Sequence, residues 1–155
     1  MNETQRPEDC YELLTQIYEE ALPFNKLLGM RVTKIDGKGA AIEIESRPDL
    51  IGNPFKQSLH GGVISAVIDA VGGLTASVGL LSQLLPIDID KAAERFGRMG
   101  TIDLRVDFLR PALGKRYLCE GSILRTGNKV AVTRMELRDD AGTLVASGTG
   151  SYLVG

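Results

Sequence analysis

The sequence has few of the residues that build disulfide frameworks or zinc sites: it contains two cysteines, one histidine and no tryptophan. Cys10 lies in an acidic N-terminal segment and Cys119 in an apolar stretch, and their spacing matches no paired motif. We expect both to be reduced structural thiols. A chain of 155 residues can bury about two-thirds of the surface that its unfolded form exposes. One globular domain is therefore expected to form without disulfides or a structural metal.

An excess of positive charge is also missing. The formal net charge is −2 and the basic residues are scattered, so the sequence offers no broad basic face for nucleic-acid phosphates. The first ten residues are polar and acidic, without the basic start and apolar centre of a signal peptide. These absences predict a cytoplasmic protein that does not bind nucleic acid.

Long apolar runs are rare, and one of them, residues 63–87, would be long enough to span a bilayer if it were helical throughout. Asp69 and the Gly72–Gly73 pair interrupt it, and Pro86 closes it. A carboxylate without a partner is costly in hydrocarbon. We therefore expect a helix buried in a soluble core, with no membrane span.

Apolar periodicity divides the chain into a helical start, a hairpin, a long helix and a series of strands. One amphipathic helix is predicted between Pro7 and Pro23, and a hairpin over residues 30–45. A loop over residues 47–58 leads into a helix from His60 to about residue 81, and residues 88–98 form a shorter helix or loop. Something must pack tightly against Gly72–Gly73, because two glycines would weaken an exposed helix.

Four strand-like runs fill the last third of the chain: residues 101–109, 117–124, 130–137 and 144–153. Turn-forming residues separate them, which indicates an antiparallel meander. The pattern predicts an α+β domain in which a long central helix lies on a strongly bent antiparallel sheet, preceded by an N-terminal helix.

The single histidine, His60, precedes Gly61 and Gly62 at the start of the most apolar predicted helix. Glycine lets the backbone turn sharply, and the first N–H groups of a helix have no partner within it. Together with the helix dipole, these N–H groups can stabilise negative charge. The position is thus suited to an oxyanion site.

Asp69 is the only charged residue between His60 and Pro86. A carboxylate among apolar residues is costly unless hydrogen bonds or a cation compensate, and such groups are often functional. Two structural interpretations stand beside the functional one. Asp69 either caps a backbone defect near Gly72–Gly73 or faces water on the polar side of the helix.

The spacing between Gly62 and Asp69 is seven positions, which is two helical turns and about 10 Å. The two residues share a face of the helix but cannot both reach one carbonyl group. An antiparallel copy of the helix would bring Asp69 of one subunit opposite Gly62 of the other. The spacing therefore predicts a symmetric homodimer with composite sites.

The run LHGGVISAVIDA, residues 59–70, resembles the signature of hot-dog-fold thioesterases of the phenylacetyl-CoA-hydrolysing (PaaI-like) type. In that family His-Gly-Gly opens the central helix and an Asp follows nine positions after the His. Residues 101–111 are similar to the family's strand entering a proline turn, and residues 127–130 to its following hairpin. The resemblance implies a hot-dog domain over residues 27–155, with residues 1–26 as a helical extension packed on it.

The resemblance also implies catalytic roles. Asp69 would be the general base that activates water or the nucleophile that attacks the thioester carbonyl. The Gly62 N–H would receive the oxyanion, and His60 would orient the loop or the thioester sulfur. Thr101 would position water near the carboxylate. Asn53 would be the loop amide, although it stands seven positions before His60 and the family's Asn stands six before.

Further positions are expected to contact an acyl-CoA substrate: Gly61, Val63, Gly73, Arg110, Arg125, Lys129 and Gly148. The three cations lie at strand ends or turns, where they either meet the phosphates of coenzyme A or are simply solvated. The glycine in the last strand allows close approach of another backbone or of the pantetheine arm, or marks a bulge. The leucine pairs at 80–81 and 84–85 either wall a deep acyl pocket for medium or long chains or pack at the helix end.

The leading prediction is hydrolysis of an acyl-CoA thioester to free acid and coenzyme A, without metal or cofactor. The active form would be a homodimer or a dimer of two such dimers. A hot-dog dehydratase or hydratase is one alternative, against which the His-Gly-Gly start and the nine-residue step argue. A non-catalytic acyl-CoA-binding protein is the other, and the acidic extension is too short for the helix-turn-helix domain of a regulator.

Overall fold

The computed structural model describes residues 6–155, and the chain opens there with short helical segments. These are α1 (Pro7–Gln16), a π-helical turn (Ile17–Ala21) and α2 (Pro23–Leu28). The predicted helix before Pro23 is confirmed over residues 7–21, but its last turn is wound as a π-helix, which ends with a bond from the Leu22 N–H to the Ile17 carbonyl oxygen.

Two further α-helices and eight strands follow within the described residues. They are β1 (Arg31–Asp36), β2 (Gly39–Glu45), β3 (Ile51–Asn53), β4 (Ser58–Leu59), α3 (Gly61–Gln83), α4 (Ile89–Gly97), β5 (Gly100–Phe108), β6 (Arg116–Thr126), β7 (Val130–Asp139) and β8 (Leu144–Leu153). The predicted hairpin, the long helix and the four late strands are confirmed. The predicted loop over residues 47–58 contains the short β3–β4 ladder.

Six strands form one antiparallel sheet in the order β1-β2-β6-β7-β8-β5. The predicted meander is present in β6, β7 and β8, but it is wrong for β5, which pairs with β8 at the edge of the sheet. The place beside β6 is taken by β2, and the two backbones lie close together there. A Cβ on Gly39 would lie 2.0 Å from the Gly121 carbonyl oxygen.

The core lies between α3 and the concave face of the sheet. Val67, Ile68, Val71 and Leu74 on α3 are fully buried, as is Met135 on β7. By length and composition α3 could cross a membrane, but 67% of its most apolar window is buried inside the fold, as in the core helix of a soluble protein. A long central helix wrapped by a bent antiparallel sheet and preceded by an N-terminal helix confirms the predicted α+β hot-dog fold.

Candidate active site

Asp69 lies on α3 beside the paired residues Thr101 of β5 and Tyr152 of β8. The Thr101 hydroxyl donates to Asp69 Oδ1 over 2.9 Å, and the Tyr152 phenol donates to the same oxygen over 3.3 Å. The phenol also lies 3.2 Å from the Asp69 carbonyl oxygen. Oδ1 is thus fixed from two strands, while no other group of residues 6–155 donates to the half-buried carboxylate. The second oxygen, Oδ2, is left for water or substrate.

Gly72 and Gly73 make room for two tyrosines. A Cβ on Gly72 would lie 2.0 Å from the Tyr152 hydroxyl, and one on Gly73 would lie 3.1 Å from the Tyr18 hydroxyl. Gly150 serves the same ring, because a Cβ there would lie 2.6 Å from the Tyr152 hydroxyl. The prediction of tight packing against the glycine pair is confirmed. Since α3 runs unbroken through these positions, no backbone defect is present for Asp69 to cap.

Both tyrosines remain donors at neutral pH. Burial raises the pKa of Tyr18 to about 12. Burial, followed by the nearby Asp69 carboxylate, raises the pKa of Tyr152 above its usual range. Neither tyrosine is predicted from the sequence as a site residue. The available signal for Tyr152 is a lone aromatic side chain in the glycine- and serine-rich run SGTGSYL of the last strand.

A cavity of about 250 Å³ opens at the carboxylate. It is lined by Tyr18, Leu22, Phe24, Asn25, Ala66, Asp69, Ala70, Gly73, Met99, Gly100, Thr101 and Tyr152. Of the predicted site residues, the cavity brings together Asp69, Thr101 and Gly73. One wall comes from the N-terminal segment, where the Asn25 amide donates to the Tyr18 carbonyl oxygen over 3.1 Å.

His60 caps the N-terminus of α3. Its Nδ1 accepts a hydrogen bond from the Gly62 N–H over 2.7 Å, and its carbonyl oxygen accepts from the Val63 N–H over 3.0 Å. Gly61 lies against the Phe108 ring, 3.3 Å from where its Cβ would stand. This end of the helix is exposed and lies two turns from Asp69, about 10 Å by the helical rise. Within one chain, the predicted oxyanion donor therefore binds the imidazole and does not reach the carboxylate.

Asn53 forms part of the turn between β3 and β4. Its Oδ1 accepts from the N–H groups of Phe55 and Lys56, over 3.0 and 3.1 Å. The side-chain oxygen thus stabilises its own loop, where the Phe55 side chain is almost fully exposed. A part for Asn53 in catalysis stays a prediction.

The remaining predicted contacts are scattered. Arg110 follows β5, whereas Arg125 and Lys129 flank the β6–β7 turn, at the opposite end of the sheet, where β5 begins. Gly148 is buried, and a Cβ there would lie 2.6 Å from the Ile68 side chain, so its close approach is to α3. Contacts of these four residues with substrate stay predictions.

The comparisons with known proteins agree on one family. Residues 56–146 match the model of the thioesterase superfamily. The medium/long-chain acyl-CoA thioesterase YigI of Escherichia coli (strain K12) is 39% identical over 148 residues, which cover 96% of each chain. A crystal structure from Shewanella oneidensis, of a protein related to the thioesterase superfamily, has 42% identity and a TM-score of 0.93, over 96% of this chain and 97% of that one.

A more distant solved structure shares the fold. The phenylacetic acid degradation protein PaaI of Thermus thermophilus is 23% identical, with a TM-score of 0.66 over 84% of this chain and 97% of that one. The matched family model spans more than half of this chain and includes both the His60 cap and Asp69. As the His-Gly-Gly run predicts, the chain belongs to the thioesterase superfamily.

Proposed function

We propose that this protein hydrolyses acyl-CoA thioesters to a free acid and coenzyme A. The observation that carries the proposal is the Asp69 carboxylate, held through Oδ1 by Thr101 and Tyr152 at the edge of a mostly apolar cavity. Such a group can activate water beside an acyl chain. The name of the E. coli relative, a medium/long-chain acyl-CoA thioesterase, supports the same substrate class.

Two routes use this carboxylate. As a general base, Asp69 takes a proton from water while the oxygen adds to the thioester carbonyl, and the tetrahedral intermediate then expels the thiolate of coenzyme A, which is reprotonated. As a nucleophile, Asp69 attacks the thioester carbonyl and expels the thiolate of coenzyme A, forming a mixed anhydride that water then cleaves to the free acid and the restored carboxylate. Label on Asp69 after a single turnover in H₂¹⁸O would identify the nucleophilic route. Asp69 acquires the label only if it has formed the anhydride and water then attacks the Asp69 carboxyl carbon.

The second half of the site is proposed to come from another copy of the chain, in a homodimer with composite sites. Gly62 of the same chain is two helical turns from Asp69, too far to stabilise the same oxyanion. The edge strand β5 supports an interface between copies, because it lacks a neighbour on one side within residues 6–155 and its Ile102 and Phe108 side chains are each 56% exposed. Two such dimers would form the proposed tetramer.

His60 is proposed to release the Gly62 N–H when substrate binds. The N–H now donates to the imidazole, and the ring is exposed, so it can rotate away without disturbing the core. The N–H would then donate to the developing oxyanion, where a fixed backbone donor is most effective. The present bond is also the one observation that favours an acyl-CoA-binding protein without turnover, since it occupies the expected oxyanion donor.

The proposal includes a location and a domain division. The cytoplasm is the proposed compartment, in keeping with an acyl-CoA substrate and reduced cysteines. Residues 27–155 are proposed as the hot-dog domain, and residues 1–26 as an extension. Of that extension, residues 6–26 are described, and Tyr18 from it reaches the Asp69 cavity.

The experiment is an acyl-CoA panel with detection of the released thiol, on wild type and Asp69→Asn. We expect turnover by the wild type and a loss of about 10²–10⁴-fold in kcat in the variant. Asp90→Asn, at an exposed carboxylate on α4, is the matched control and should behave as wild type. Full activity of Asp69→Asn would refute the role of the carboxylate. Tight acyl-CoA binding by an inactive wild type would favour the non-catalytic alternative.

A further inference from the structure

A second cavity, of about 430 Å³, lies between α1 and α4. We call it the α1–α4 chamber, lined by Asp9, Cys10, Leu13, Leu14, Ile17, Ile87, Ile89, Ala92, Ala93 and Phe96. Eight of these ten side chains are aliphatic or aromatic, and the two others stand together on one turn of α1. The chamber is thus an apolar space larger than the Asp69 cavity.

The chamber and the Asp69 cavity take lining residues from the same two segments of the chain. Ile17 lines the chamber and Tyr18 the Asp69 cavity; Phe96 lines the chamber and Met99 the Asp69 cavity. The two spaces are therefore neighbours at these two places, and we call the Tyr18 and Met99 side chains the partition.

Both side chains of the partition, Tyr18 and Met99, lie near the Ser77 hydroxyl on α3. The Ser77 hydroxyl is near enough to the Tyr18 phenol to lower its pKa against the larger effect of burial, and it lies 3.5 Å from Met99 Sδ. Ser77 is eight positions after Asp69, about 12 Å along the helix. Met99 is the adaptable member of the pair, because an unbranched thioether side chain repacks easily.

We propose that the α1–α4 chamber receives the distal part of a medium or long acyl chain, which enters from the Asp69 cavity by displacing the Met99 side chain. This inference rests on the proposed thioesterase function. An extended hydrocarbon is the occupant that the lining favours, since it brings no polar group that would need a partner there. The E. coli relative named for medium and long chains matches 96% of this chain, so most of the α1 wall falls inside the matched length.

The chamber is lined by other residues than the leucine pairs at 80–81 and 84–85, which were the candidate walls of an acyl pocket. Leu80 and Leu81 are fully buried in the core, and Leu85 is 55% exposed. The connection after α3 contributes instead through Ile87, Ile89 and the inner face of α4.

The test compares kcat/KM for dodecanoyl-CoA with kcat/KM for butanoyl-CoA. In Leu13→Glu a charge is placed in the chamber wall at a side chain that is already 55% exposed, so folding is expected to survive. The ratio of the two constants should fall at least tenfold relative to wild type. Ala93→Phe, on the exposed side of α4, reduces the chamber by volume and should lower the ratio in the same direction. Leu124→Glu, on β6 and 57% exposed, is the matched control and should keep the wild-type ratio.

Equal losses on both substrates, or an unchanged ratio in both chamber variants, would overturn the inference. An unchanged ratio together with an altered mass in light scattering would also overturn it, because the chamber would then be a contact between protein chains. Failure of the proposed function is distinguishable from these outcomes, since the wild type would then hydrolyse neither substrate.

Discussion

Two polar groups of α3, the Asp69 carboxylate and the Gly62 N–H, differ in the partners that they have within one chain. Asp69 receives hydrogen bonds from two strands of its own sheet and stands against a cavity. The Gly62 N–H, two turns earlier, meets only the imidazole of its own N-cap and lies at an exposed helix end. The contrast shows that one chain holds the Asp69 carboxylate in place, and it is consistent with the proposal that the Gly62 N–H acts with a second chain.

Removing the Gly62 N–H, at the exposed N-terminus of α3, should have the largest effect on kcat. Proline is tolerated in the first turn of a helix, so Gly62→Pro deletes this donor without deleting α3. Loss of one oxyanion donor costs about 10²–10³-fold in kcat. Gly62→Ala keeps the N–H and is the control; its Cβ would meet only the movable His60 ring, 2.9 Å from Nδ1. Similar kcat values for the two variants would remove Gly62 from the mechanism.

Removing a hydrogen bond that holds the Asp69 carboxylate should have the next largest effect on kcat. Tyr152→Phe and Thr101→Val each remove one hydrogen bond to Asp69 Oδ1. Hydrogen bonds to charged groups are worth about 1.5–3 kcal/mol, so we expect kcat to fall about 10- to 100-fold with KM nearly unchanged. Tyr117→Phe is the matched control, because that phenol donates to the Gly114 carbonyl oxygen. A rise in KM with unchanged kcat would mean that these hydroxyls contact substrate instead.

Alanine substitutions at Gly72 and Gly73 should have the smallest effects, and these effects are on the free energy of unfolding. In Gly72→Ala the new methyl group would lie 2.0 Å from the Tyr152 hydroxyl, and such overpacking costs about 1–3 kcal/mol in the free energy of unfolding. In Gly73→Ala the contact with the Tyr18 hydroxyl is 3.1 Å, and the helix gains roughly 1 kcal/mol from alanine. Because the gain from alanine applies at both positions, urea unfolding should show a net loss of up to about 2 kcal/mol for the first variant and a change near zero for the second. Equal losses would contradict the tyrosine packing described for α3.

Much of the fold follows from local patterns in the sequence. Apolar periodicity predicts α3, the β1–β2 hairpin and the last four strands, because burial on one face leaves a regular signal. The pattern does not predict the neighbour of each strand. β5 lies at the edge because it pairs with β8, and β2 lies beside β6; both pairings join segments far apart in the chain. The π turn over Ile17–Ala21 likewise keeps apolar spacing that resembles an ordinary helix.

The candidate site is predictable where its residues belong to one helix. Asp69 and the His60 cap stand out as polar positions in an apolar run, and the link from Asp69 to Thr101 follows from the family resemblance. Tyr18 and Tyr152 have no such signal, since their roles arise from packing against Gly72–Gly73. Arg110 lies apart from Arg125 and Lys129 because β5 ends at the opposite end of the sheet from the β6–β7 turn, and the sequence does not reveal this pairing.

Subunit complementation tests the central claim most directly, that Asp69 of one chain works with the helix end of another. Asp69→Asn and Gly62→Pro chains are unfolded together in equal amounts, refolded, and assayed beside each variant refolded alone. In a composite dimer one site of every mixed pair is intact, so the mixture should recover roughly one quarter of wild-type kcat. A mixture no more active than its two components, with mixed dimers verified by mass, would contradict the composite site.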